Sequence, residues 1–183
     1  MRKRHTLTQV YDNVEYWSHR GNELGKYTEM KKQNILEALK PLSFSSVLEI
    51  GSGQGELTRL ILDNFPVEKY ECVDISRLYL AQLPNNPILK KTNSDFLNYY
   101  TNERFDLVIA AHVLLHIEHE NLLSFWVKMG ELSKKYVCHI DPIKENIPRK
   151  WEYYNFPHDY TQLHPESKFK QVERDSGIWL VKK

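Results

Sequence analysis

Two cysteines in 183 residues, Cys72 and Cys138, are too few for a disulfide scaffold, and they form no CxxC pair. Both fall inside apolar, strand-like runs, so a reduced, cytoplasmic setting is expected. Net charge is also slight. The 25 Lys+Arg against 24 Asp+Glu leave +1, and no strong field draws nucleic acid or an acidic membrane. No apolar run is long enough for a bilayer, since the longest, Leu107 to Ile117, is interrupted by His112 and His116. The basic start Met1–His5 has no apolar segment behind it, so no secretory signal is expected. Repeats, low-complexity tracts and linkers are missing too. With 41% hydrophobic and 27% charged residues, the chain reads as one globular domain over residues 1–183.

What is present is an alternation of strand and helix signals. Leu24, Tyr27, Met30, Ile35, Leu36 and Leu39 recur at helical spacing from Asn22 to Lys40, stopping before Pro41. Short apolar runs follow at Ser46–Ile50, Tyr70–Ile75, Phe105–Ala111 and Tyr136–Ile140, with a weaker strand signal, broken by charges, at Ile88–Asp95, and helical patterns between them. Phe105–Ala111 is nearly all apolar, as a parallel strand covered on both faces should be. Phe169–Ser176 and Ile178–Lys182, split by Gly177, read as a terminal antiparallel hairpin. The pattern predicts an α/β fold around a mainly parallel sheet, with its active edge at the carboxyl ends of the strands.

The chemistry concentrates on that edge. Gly51-Ser52-Gly53-Gln54-Gly55 joins a strand directly to a helix, where glycine allows positive φ and close approach of a ligand to bare backbone. Asp74 ends the next strand, placed to accept hydrogen bonds from both hydroxyls of a ribose. The spacing is GxGxG, not the GxGxxG of dinucleotide sites, and Glu56 at the helix start would repel a pyrophosphate. No phosphate-cradling GKS or GKT is present.

The motif, with Glu49 two residues before its first glycine, resembles that of the class I, Rossmann-like S-adenosylmethionine-dependent methyltransferases. The resemblance extends over about Tyr16 to Lys183. Asp74 matches the family's ribose acid, with Ile75 beside it. Asn93-Ser94-Asp95-Phe96 looks like its third-strand motif, where the acid meets the adenine amino group and the next residue flanks the ring. Phe105–Ile117 is similar to its fourth-strand motif, which puts Ala110, Ala111 and His112 at the methionine end of the cofactor. Tyr16 to Gly21 looks like a segment that closes over the cofactor, with Tyr16 and Arg20 as contacts. The resemblance therefore implies a doubly wound, seven-stranded sheet with helices on both faces and a C-terminal hairpin. It also implies S-adenosylmethionine held by Glu49, Gly51, Ser52, Gly53, Gly55, Asp74, Ile75, Asp95, Phe96 and the contacts above, with S-adenosylhomocysteine as product. The Asn/Asp-Pro-Pro-aromatic motif of enzymes that methylate exocyclic amines of DNA bases, or glutamine, is replaced here by Ala-Ala-His-Val.

Candidate bases are His112 first, then His116 and Asp141. Residues 144–157 have no period and carry Trp151, Tyr153 and Tyr154, which suits a substrate lid or a wall over the sheet, with His158 just beyond. His112 and His116 are four apart, but without HExxH no metal site is expected. A small-molecule acceptor is the leading expectation. RNA methylation and a non-catalytic cofactor-binding subunit are the alternatives, and oligomeric state is left open.

Overall fold

The computed structural model describes residues 26–143, 155–156, 158–163 and 166–183. In chain order the elements are α1 (Glu29–Leu39), β1 (Ser46–Ile50), α2 (Glu56–Asn64), β2 (Lys69–Asp74), α3 (Arg77–Gln82), β3 (Leu89–Asn93) and β4 (Phe105–Ala111). A 3-10 turn (Leu114–His116), α4 (His119–Leu132), β5 (Ser133–Pro142), α5 (Tyr160–Leu163), β6 (Lys168–Gln171) and β7 (Ser176–Lys182) follow.

The seven strands form one sheet in the order β3-β2-β1-β4-β5-β7-β6. The first five are parallel to one another, and β7 runs antiparallel to both β5 and β6. Strand order reverses at β1, so the β1 and β4 carboxyl ends flank the crevice where such sheets bind ligands. Side-chain alternation builds two cores. Val47, Tyr70, Cys72, Leu107 and Ile109 pack under α1, α2 and α3, while Leu48, Ile50, Val108 and Ala110 pack under α4 and the 3-10 turn.

Among the boundaries that differ from the sequence reading, three have a clear physical cause. α1 starts at Glu29, because the Thr28 hydroxyl accepts from the Lys31 amide and caps it there. β5 extends to Pro142 because its far end pairs with Ser176 of β7. The hairpin turn spans residues 172–175, not Gly177. That glycine lies inside β7, where a Cβ would overlap the Phe169 ring from β6. Among the described residues no helix is long and apolar enough to cross a membrane.

Candidate functional site

A cavity of about 710 Å³ opens at the carboxyl edge of the sheet, a volume typical of a small-ligand site. The glycine loop forms its floor. Gly51 N–H donates to Val73 O at 2.8 Å, tying the loop to β2 as it leaves β1. Gly51 and Gly53 have φ of +67° and +50°, which L side chains rarely adopt. A Cβ on Gly51 would run into the Val113 side chain, whereas one on Gly53 meets no atom within 4 Å. Gly53 lines the cavity, as do Gly51 and the buried Ser52, so a side chain there would take ligand space. Gly55 does not line it. It is the N-cap of α2, pressed against Leu83.

Asp74 caps β2 and faces the loop. Its Oδ2 accepts the Gly53 N–H at 2.9 Å and its Oδ1 accepts the Ser76 N–H at 2.8 Å. Burial pushes its carboxyl up, against the pull of these two amides. Each carboxylate oxygen has a second acceptor site, so the geometry still allows two donors from a ligand. Asn93 steadies the same corner, its amide donating to Asp74 O at 3.0 Å and Ile75 O at 2.7 Å. Ile75, Asp95 and Phe96 also line the cavity. Asp95 Oδ1 accepts the Leu97 N–H at 2.6 Å and orders the turn after β3. The Phe96 ring packs on Phe125, with centroids 4.7 Å apart.

Glu49 is the deepest acid in the lining, only 1% exposed. Its Oε2 accepts from the Thr58 hydroxyl at 2.6 Å and the Tyr70 hydroxyl at 2.7 Å, with the Cys72 thiol at 3.6 Å. Burial pushes the carboxyl up to about 7. The three donors oppose the shift, and the neighbouring Asp74 adds to it.

At the β4 end the lining comprises Ala111, His112 and His116. His112 has a left-handed backbone, φ 56°, and its N–H donates to Ile140 O at 2.7 Å. Its Nε2 lies 2.7 Å from Lys31 Nζ. Burial first, then Lys31 and His116, hold the ring at about 3, so at neutral pH it is a poor base.

Besides Gly55, three expected site residues lie elsewhere. Ala110 points into the second core, one step of strand alternation away from Ala111. Asp141 is fully buried. Its Oδ1 accepts the Leu115 N–H at 3.2 Å and its Oδ2 meets His139 Nδ1 at 2.9 Å, so it braces the turn behind the cavity. Burial pushes His139 down to about 3 and Asp141 up, both toward the uncharged forms. His158 is buried, with Nε2 2.9 Å from Ile117 O and Nδ1 3.1 Å from His119 Nδ1, so both nitrogens are spent on structure. Tyr16, Arg20, Trp151, Tyr153 and Tyr154 lie outside the described residues.

Sequence reasoning missed Lys31, Glu173 and Asp175, all of which line the cavity, and it assigned Tyr27 only to a helix face. The available signal for Lys31 was a lysine four residues after Tyr27 on the buried side of α1. Nothing local marked the two hairpin acids. Among the described residues no group of three or more His, Cys, Asp or Glu could hold a metal ion.

Comparison with known proteins agrees with this geometry. The family model described as a methyltransferase domain matches residues 48–135. A search of curated proteins finds no match. Among solved structures, a DhpI–SAH complex superposes with a TM-score of 0.75 at 18% identity, covering 97% of each chain. The N-methyltransferase NodS from Bradyrhizobium japonicum WM9, in complex with S-adenosyl-L-homocysteine, gives 0.71 at 16% identity over 97% of this chain and 96% of its own. The magnesium protoporphyrin IX methyltransferase ChlM from Synechocystis PCC 6803, with bound SAM, gives 0.67 at 14% identity over 100% of both. The glycine loop, the acid at the end of β2, the strand order and the family match over residues 48–135 thus agree with the Rossmann-like fold of methyltransferases.

Proposed function

We propose that this enzyme methylates a small-molecule acceptor in the cavity at the carboxyl edge of its sheet. The charge of the lining carries the reading. Seven carboxylates (Glu49, Glu56, Asp74, Asp95, Glu118, Glu173 and Asp175) face two lysines, Lys26 and Lys31. Such a wall favours a ligand with cationic centres and opposes a pyrophosphate or a nucleic-acid backbone. When bound, S-adenosylmethionine supplies a methyl group on a cationic sulfonium, whose displacement leaves a neutral thioether.

The residues fit that ligand. Gly53 leaves bare backbone where a ribose can lie, with Asp74 facing it to accept hydrogen bonds from the hydroxyls. Asp95 and Phe96 border the position for adenine, and Glu49 offers a deep counter-charge at the methionine end. The protein then aligns the acceptor with the methyl group and excludes water, and alignment supplies about 7–11 kcal/mol in favourable cases. The segment 144–157, which follows the end of β5, is assigned as the lid. The neighbour named as a magnesium protoporphyrin IX methyltransferase supports a small acceptor, while leaving the methylated atom open.

Calorimetry of the full chain with S-adenosylmethionine, S-adenosylhomocysteine and NAD tests the cofactor. Binding of the first two alone is expected, and NAD binding would overturn the reading. A screen of metabolite pools against RNA for transfer of labelled methyl then tests the acceptor class, with label in the small-molecule fraction expected.

A further inference from the structure

Lys31 on α1 is a buried cation, its side chain only 7% exposed. Its Nζ lies 2.7 Å from His112 Nε2, 3.4 Å from Glu173 Oε2 and 4.6 Å from the centre of the Tyr27 ring. Glu173 is held in turn by the Thr28 hydroxyl, which donates to Oε1 at 2.6 Å. The group thus joins α1, the end of β4 and the hairpin turn, all within the cavity lining.

Hydrogen-bond chemistry restricts what this contact can be. An ammonium has three protons and no lone pair, so toward Nε2 it can only donate. A neutral imidazole that accepts at Nε2 carries its proton on Nδ1. Burial lowers the Lys31 ammonium from its ordinary value, and the Glu173 carboxylate opposes that shift and favours the charged form. The left-handed backbone of His112, pinned to Ile140 O, then fixes where the ring sits.

We propose that Lys31 is the positioning residue of the transfer site, locking His112 as the neutral Nδ1–H tautomer that donates a hydrogen bond to an oxygen of the acceptor. The assignment rests on the methyltransferase reading only for what that donor meets. It makes the acceptor a molecule with a carbonyl, carboxylate or similar oxygen close to its nucleophile, and one whose proton, if it has one, does not leave through His112. The other ionisable groups facing the dyad are His116 from the turn after β4, Glu173 and Asp175 from the hairpin, and Asp141 from β5.

The test is long-range ¹⁵N–¹H NMR of the full chain without cofactor, which reads the two imidazole nitrogens separately. At neutral pH, His112 is expected to be protonated at Nδ1 and bare at Nε2, and to stay uncharged down to about pH 5. Lys31→Met should move the proton to Nε2 and raise the titration midpoint by at least about one pH unit, and Lys31→Arg should restore the wild-type tautomer. An Nε2–H tautomer in the wild type, or a Lys31→Met spectrum identical to it, overturns the assignment. If Lys31→Met does not fold, the wild-type spectrum decides alone. Titration of S-adenosylhomocysteine into the same sample separates the two readings. Binding without the Nδ1–H tautomer sinks the dyad only, and the tautomer without binding sinks the methyltransferase reading only.

Discussion

Replacing Glu49 with Gln tests the electrostatic logic of the site without adding or removing a heavy atom. In the folded chain the Glu49 carboxyl sits at about 7, against its ordinary value of 4.5. Between those pH values the folded state holds a proton that the unfolded chain has released. The contribution of Glu49 is therefore most favourable below about pH 4.5 and is lost as pH rises to about 7, where its ionised form is trapped in the core. At about 1.36 kcal/mol per pH unit the loss is about 3 kcal/mol. Gln has no such titration, and its amide oxygen can still accept from Thr58 and Tyr70. Urea unfolding of both proteins should therefore show the Gln variant gaining about 2–3 kcal/mol relative to wild type between pH 5 and pH 8. The same burial predicts that a cationic ligand pulls the proton off. Calorimetry near pH 7, in two buffers of different ionisation heat, should show proton release by wild type on binding S-adenosylmethionine and none by the variant. A stability difference that stays flat with pH would refute the argument, as would binding without proton release.

Asp74→Asn should weaken S-adenosylhomocysteine binding by about 1–3 kcal/mol in calorimetry, because one acceptor facing the Gly53 amide becomes a donor. Gly53→Ala should fold with a loss of about 1–2 kcal/mol from its positive φ, yet lose at least about tenfold in cofactor affinity. Gly51→Ala should lose more stability, through overlap with Val113. His112→Gly should be more stable to heat or urea than His112→Ala by about 1 kcal/mol, since only glycine relaxes the left-handed backbone; equal stabilities would remove the strain. Replacing Trp151, Tyr153 and Tyr154 together by Ala should spare cofactor affinity while cutting methyl transfer at least about tenfold, about 1.4 kcal/mol of transition-state stabilisation. Full activity on the true acceptor would place substrate entry elsewhere.

Local chemistry made the framework legible from sequence. Phe105–Ala111 had the expected boundaries because a strand covered on both faces must be apolar throughout, and β4 is buried along nearly its whole length. The glycine loop and Asp74 were readable because positive φ and a strand-end acid are demands that a few residues state on their own. β3 was a weak signal for a physical reason: it is the edge strand, with Lys90 and Lys91 exposed, and edges tolerate charge.

The tertiary structure alone decided which polar groups share space. His112 and Asp141, both candidate bases with His112 ranked first, each lie at the end of a strand. Pairing with His139 and Leu115 draws Asp141 inward, while the bond from the His112 amide to Ile140 turns His112 to the cavity. Lys31 and Glu173 stand 142 positions apart in the chain, and no local pattern couples them. Only the antiparallel return of β7 beside β5 brings the hairpin acids over α1. Backbone propensity and hydrophobic period act over a few residues, and so they are written in the sequence. The charge on a buried side chain depends on everything packed around it, and that exists only once the chain has folded.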